Sequence, residues 1–168
     1  MPGFAASPRW LDAARRDLAR CADAQLTIDG GQIEGCPHYH NGSVAWFAQA
    51  VAIARDAGAP MPESYQRRVR DSVAYSLHSI RPDGTSVPWG DSDADHHGLV
   101  AAFWACAAFG DPTAAAIAAR LTGPEAARAE LAKFLWIEPG VAELEAVVTR
   151  PPPVPQNMPQ THLQRGLD

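Results

Sequence analysis

The sequence predicts an all-α protein, built from helical hairpins that form an incomplete α/α toroid with a proline-rich C-terminal tail. Apolar residues recur at helical spacing along most of the chain. The predicted helices alternate between two kinds, one with a single apolar face and one apolar nearly all round. Helices that lie alternately outside and inside a curved double layer produce this alternation, so about three stacked hairpins are expected.

The composition is that of a protein with a substantial core. Of the 168 residues, 46% are hydrophobic and 20% are charged, which excludes a disordered chain. The net charge of −5 argues against a nucleic-acid partner. No apolar stretch approaches the ~18 residues of a membrane span, and no export signal is visible. The sequence as written therefore predicts a cytoplasmic protein without a membrane partner.

The first four helices carry the alternation. Ser7-Pro8 combines a cap with a first-turn proline and opens an amphipathic helix to about Ala24. Residues 43 to 57 predict a helix that is apolar nearly all round, and residues 62 to 80 predict an amphipathic one. The helix from about His97 to Phe109 is again apolar nearly all round.

The rest of the chain predicts shorter helices and then a linker. Helices are expected at 113 to 121, at 124 to 136 and at 141 to 149. The prolines that follow Arg150 cannot continue a helix. We therefore expect a helical domain over 7–149 and a linker over 150–168 that leads to an absent domain. No internal repeat has a readable period.

Two polar connections, 29–41 and 81–97, each join an amphipathic helix to an apolar one. In an antiparallel hairpin array such connections emerge at the same end. The order of helices therefore predicts one site at one rim, and the side chains it would bring together are Glu34, His38, Tyr39, His40, Trp89, Asp91 and Asp93.

The first connection offers groups for proton transfer. His38, Tyr39 and His40, with Glu34 nearby, supply acids and bases of graded pKa. An alternative is that Tyr39 and one histidine simply pack under the following helix.

The second connection is rich in aspartate but lacks a calcium-loop pattern. The sixth position is His96 where glycine is required, and the twelfth is Ala102 where glutamate is required. Asp91 or Asp93 could instead cap the next helix. His96 and His97, near three aspartates, could bind a transition metal. Adjacent residues at a helix start diverge in direction, however, so we expect no metal ion and no cofactor. Trp89 is a candidate platform for sugar stacking, or else packs at the rim.

The two connections together resemble the heparinase II/III-like polysaccharide lyases. The motifs that carry the resemblance are Asp29-Gly30-Gly31, Glu34, Pro37, Tyr39-His40, Pro82-Asp83-Gly84 and Gly90-Asp91-Ser92-Asp93. The tail is similar to the passage from that family's toroid into its β-sandwich. The resemblance thus implies the later part of a toroid, belonging to a longer and periplasmic parent enzyme.

Members of that family cleave uronic-acid-containing polysaccharides by β-elimination. The resemblance implies catalytic roles for Tyr39, His40 and Glu34 and places Gln32 where the uronate carboxylate is neutralised. It implies substrate contacts for the remaining rim residues, which are His38, Trp89, Asp91 and Asp93. The implied partner is an acidic polysaccharide or oligosaccharide.

Two rival functions stay open. One is a glycoside hydrolase on a similar toroid, with Glu34 and Asp91 as its carboxylate pair. The other is an inactive, truncated remnant that only binds saccharide. It is favoured by Gly31-Gln32 and Gly84, where family members carry other residues. An incomplete toroid would also expose an apolar helix flank, which predicts self-association.

Overall fold

The computed structural model describes residues 4–134 and 141–150. Within these ranges the chain forms helices and no β-strand, which confirms the all-α class. The helices are α1 (Ser7–Gln25), α2 (Pro37–Asp56), α3 (Glu63–His78), α4 (His97–Phe109), α5 (Thr113–Thr122), α6 (Pro124–Leu131) and α7 (Val141–Thr149), with a 3-10 turn at Ala132–Phe134. Among them, no helix combines the length and the apolar character that crossing a bilayer requires. The linker predicted over 150–168 lies outside the described residues, apart from Arg150.

The helices form two layers in the predicted order. The inner helices α2 and α4 pack against each other along their length. The outer helices α1, α3 and α5 lie side by side, and α3 also packs on both inner helices. The alternation of amphipathic and apolar helices thus corresponds to outer and inner positions. Closure of this double layer into a toroid stays a prediction.

Helix α4 lies between two parts of the core. One side, with Leu99, Phe103 and Cys106, packs in the apolar cluster formed with α5 and α7. The other side carries Ala101 and two further buried alanines and packs in the cluster formed with α1, α2 and α3. A helix apolar nearly all round is needed here because both sides are buried.

Helix α2 begins at Pro37, six residues before the predicted start at 43. Proline is favoured in the first turn of a helix because its fixed φ suits the helix and its missing N–H leaves no donor unsatisfied. The prediction assigned His38, Tyr39 and His40 to a loop, and this is wrong. They form the first turn of α2, so helical geometry fixes their directions.

The two connections each contain the same kind of turn, although the sequence shows no internal repeat with a readable period. Isolated antiparallel bridges join Leu26 to Gln32 and Ile80 to Ser86. Each bridge encloses an Asp-Gly pair whose glycine, Gly30 or Gly84, has φ of 89° or 81°. A Cβ at either position would overlap the backbone of the next outer helix. Glycine is therefore required twice, for its φ and for the close approach.

Candidate functional site

The two connections meet at the N-terminus of α2. Ser92 of the second connection accepts a hydrogen bond at its Oγ from the backbone N–H of His38, at 2.8 Å. The same Oγ lies 3.1 Å from Cys36 Sγ. These contacts confirm that both connections lie on one rim. Ser92 was not among the predicted site residues, since a serine beside three aspartates gives no distinctive signal.

Tyr39 carries an accessible hydroxyl at this rim. Its side chain is 43% exposed, and the hydroxyl lies 3.5 Å from Asp91 Oδ2. The negative charge of Asp91 is the main reason why the pKa of Tyr39 is raised, and slight desolvation, Cys36 and Glu34 add to it. Tyr39 is therefore a protonated phenol at neutral pH, able to donate a proton.

His38 and His97 converge on one carboxylate. The Nδ1 atoms of His38 and His97 lie 2.8 Å and 2.5 Å from the same Asp95 Oδ2. The two rings are nearly perpendicular, with centroids 4.3 Å apart. Burial opposes ionisation of Asp95, but hydrogen bonds from the His97 N–H, both rings and Ser86 outweigh it and lower the pKa to about 2. Asp95 is thus a carboxylate at neutral pH.

Sequence reasoning noted His96 and His97 near three aspartates, Asp95 among them, but left Asp95 and His97 out of the predicted site. It judged correctly that His96 and His97 diverge, since His96 Nδ1 bonds the carbonyl of Gly84 at 3.0 Å. It could not see that His97 meets His38, which comes from another helix. The available signal was an aspartate two residues before a helix start, the position from which Asp95 also accepts the N–H of His97 at 3.1 Å.

A cleft of about 630 Å³ runs along α2 and α4 from these groups. Its walls carry both histidines of the Asp95 cluster, together with Glu34, Tyr39, Trp46, Trp104, Glu130 and Lys133. Trp46 is 72% exposed. Lys133 Nζ bonds Glu130 Oε2 at 2.6 Å. The cleft therefore combines proton-transfer groups, aromatic faces and one ammonium group.

His40 occupies a different environment. Its side chain is 2% exposed, and Nε2 lies 3.0 Å from Ser76 Oγ and 3.2 Å from the carbonyl of Ser72. Burial lowers the pKa of His40 to about 4, although the hydrogen bond to Ser72 opposes this. His40 is neutral at physiological pH and faces α3, whereas Tyr39 lines the cleft.

Gln32, Trp89 and His40 line a second, smaller cavity of about 280 Å³. Gln32 is buried, and its Oε1 accepts the backbone N–H of Glu34 at 2.8 Å. Trp89 is 68% exposed at the rim. Asp93 is exposed, and its carbonyl accepts the N–H of Asp95 at 3.0 Å. Six of the predicted residues are thus divided between the two cavities, with Tyr39, Glu34 and His38 in the larger one, while Asp91 and Asp93 line neither of the two.

Comparison with known proteins gives one result. A family model described as the heparinase II/III N-terminus matches residues 1–109. The matched region includes α1 to α4 and both connections. No curated protein and no solved structure matches the chain significantly.

Proposed function

Because the chain belongs to the heparinase II/III N-terminus family, we propose that it forms part of a polysaccharide lyase. The substrate is a polysaccharide that contains uronic acid, and the reaction is β-elimination. The observation that supports this most directly is the cleft itself, where the hydroxyl of Tyr39 is exposed beside Asp91 and shares the wall with Glu34.

The elimination needs an acid for the leaving O4 and a base for the C5 proton. Tyr39 suits the acid, because its raised pKa keeps the phenol protonated until the bond to O4 breaks. Glu34 is an exposed carboxylate on the same wall, and we assign it the C5 proton. His40 takes no part in this assignment, since its imidazole is enclosed by α3.

Binding of the polymer needs apolar faces and a countercharge. Trp46 and Trp104 line the cleft and offer rings on which sugars can stack. Lys133 is the only lysine of the chain, and its ammonium group lies at the same cleft, where a uronate carboxylate would compete with Glu130 for it. The proposed ligand is therefore an anionic polysaccharide segment.

The test is turnover of a panel of uronate polymers, followed by the ultraviolet absorption of the unsaturated product. We expect Tyr39→Phe to reduce the rate by about 10²- to 10⁴-fold, the usual range for general acid catalysis. The melting temperature should stay unchanged because the side chain is exposed. Tyr75→Phe is the matched control, since it removes the hydroxyl of a tyrosine that lines the smaller cavity.

Other outcomes would overturn the proposal. Saturated products would indicate a hydrolase, and Glu34 and Asp91 would then be the carboxylates to substitute. Saccharide binding without turnover would indicate a binding protein. Full activity of Tyr39→Phe would remove Tyr39 from the chemistry.

A further inference from the structure

Three metal-ligating side chains converge where the inner helices begin. His38 lies in the first turn of α2, His97 is the first residue of α4, and Asp95 lies two residues before that start. One ligand atom from each lies within 4.8 Å of the other two. We infer that this His–Asp–His cluster binds a divalent transition-metal ion of the zinc class.

The donor set indicates the class of ion. Two imidazole nitrogens and one carboxylate oxygen suit Zn²⁺, Co²⁺ or Ni²⁺, whereas Ca²⁺ and Mg²⁺ prefer oxygen ligands alone. Three protein ligands leave one tetrahedral position for water or for a substrate group, as in catalytic zinc sites. The three side chains keep between 20% and 39% of their surface exposed. An ion could therefore enter from the cleft.

The ligands are held in place by contacts that leave Asp95 Oδ2 and the rings facing one another. Asp95 Oδ1 accepts the N–H of His97, and the Asp95 carbonyl accepts the N–H of Ser86 at 2.7 Å. The backbone N–H of His38 is bonded to Ser92 Oγ. Such supporting contacts reduce the entropy that the ligands would lose on binding an ion.

The same atoms can instead form hydrogen bonds between the imidazoles and Asp95, and these hydrogen bonds compete with metal binding. The Nδ1 atoms lie 2.8 Å and 2.5 Å from Oδ2. Ligands at ~2.0 Å from a tetrahedral zinc ion are about 3.3 Å apart. The two nitrogen–oxygen distances would therefore lengthen by less than about 1 Å when an ion replaces the shared protons. Metal binding should release protons and should weaken as the imidazoles become protonated.

The ion would also assist catalysis, a role that rests on the proposed function. The ring of His38 lies 5.7 Å from that of Tyr39 between centroids, so the ion would place positive charge beside the proposed acid. A uronate carboxylate could occupy its open position and be neutralised there. Metal binding itself does not depend on this role.

The test is titration of the chelator-treated chain with Zn²⁺ by calorimetry and with Co²⁺ by visible absorption. We expect one equivalent to bind, with the intense d–d bands of four-coordinate cobalt. Asp95→Asn should weaken binding at least tenfold while it keeps an acceptor oxygen for the imidazoles. His97→Gln should act similarly. His78→Ala is the control, because it removes an exposed histidine at the end of α3, remote from the cluster in the chain.

Circular dichroism of each variant separates loss of the site from loss of the fold. The inference is overturned if folded wild-type protein binds no Zn²⁺ saturably, or if Asp95→Asn and His97→Gln bind it as tightly as the wild type. It is also overturned if His78→Ala weakens binding equally. Tyr39→Phe should keep metal binding and lose turnover, so failure of the lyase proposal and failure of the metal site are distinguishable.

Discussion

Tyr39 and His40 are adjacent in the sequence and face opposite environments. Successive residues of an α-helix are rotated by about 100°, so the start of α2 at Pro37 sends one side chain to the cleft and the next toward α3. The same polar composition thus yields an exposed phenol and a buried neutral imidazole. Burial changes the chemistry of His40 more than its neighbours in sequence do.

His40 should make stability depend on pH. Its pKa is 6.5 when unfolded and about 4 in the fold, so acid protonates the unfolded chain first. The contribution of His40 to the free energy of unfolding should be constant above pH 6.5 and fall by about 1.4 kcal/mol per pH unit between 6.5 and 4. Denaturant titrations of wild type and His40→Gln should differ in slope across this window. Equal slopes would contradict the assignment.

Asp95 affects stability in a lower pH range than His40 does. The contributions of the two residues to the free energy of unfolding can therefore be measured separately. Its pKa is lowered from 3.8 to about 2, and the stability it contributes is present above pH 3.8 and lost as the pH falls through 2. The change between pH 6.5 and 4 therefore reports His40 and not Asp95.

Gly30 offers a residue-level test of the shared turn. Gly30→Ala adds a Cβ that overlaps the carbonyl of Asp71, in addition to the cost of a positive φ. Gly58→Ala is the matched control, because φ is 70° there and nothing lies within 4 Å of the added Cβ. We expect about 1 kcal/mol of destabilisation for Gly58→Ala and clearly more for Gly30→Ala. Chemical denaturation measures both, and equal losses would mean that the turn relaxes away from α3.

At the scale of elements, the N-terminus of α2 is capped from outside its own segment. The N-cap residue Cys36 makes no side-chain cap hydrogen bond. Ser92 supplies the acceptor instead, through its bond to the N–H of His38. The start of α2 therefore depends on the connection 81–97, which precedes α4. Ser92 thus links the two connections that form the site.

Ser92→Ala should weaken this link. Loss of a cap acceptor costs about 0.5–2 kcal/mol, and Ser92 is buried, so no bulk water replaces it. Hydrogen exchange should show faster exchange at His38 and at the first turn of α2. Ser43→Ala, at a half-buried position further along the same helix, is the control and should leave exchange at His38 unchanged. Unchanged exchange at His38 in Ser92→Ala would contradict the capping role.

At the scale of the molecule, α4 joins the two apolar clusters into one core. Trp104 and Ala114 pack against both clusters. The described helices should therefore unfold as a unit. The flank of α2 that carries Trp46 and Ile53, 72% and 53% exposed, lies outside this core, and self-association through it stays a prediction.

Phe103→Ala tests the cooperativity of that core. Phe103 is fully buried within the cluster that α4 shares with α5 and α7, and its truncation should cost about 3–5 kcal/mol. A thermal melt followed by circular dichroism should still show one transition, at a lower temperature. Phe4→Ala is the control, since Phe4 is 56% exposed. Two separate transitions would show that the clusters unfold independently.

The sequence by itself determined the helices, their order and their layers, because apolar periodicity records which faces are buried. The ranges of α1, α4 and α7 agree with the prediction within one or two residues. It also placed both connections on one rim, since hairpin order fixes which ends meet. The family motifs are local patterns, and they assigned Tyr39, His40 and Glu34 to the site together, an assignment that stays a prediction.

Only the tertiary structure decided which polar groups meet. The start of α2 at Pro37 removed His40 from the cleft and left Tyr39 in it. The contact of His38 with Asp95 and His97 joins residues from different helices. No spacing within one segment encodes such a contact, because it depends on how closely α2 and α4 pack. Helical rotation and helix packing, rather than composition, therefore select the groups that can act together.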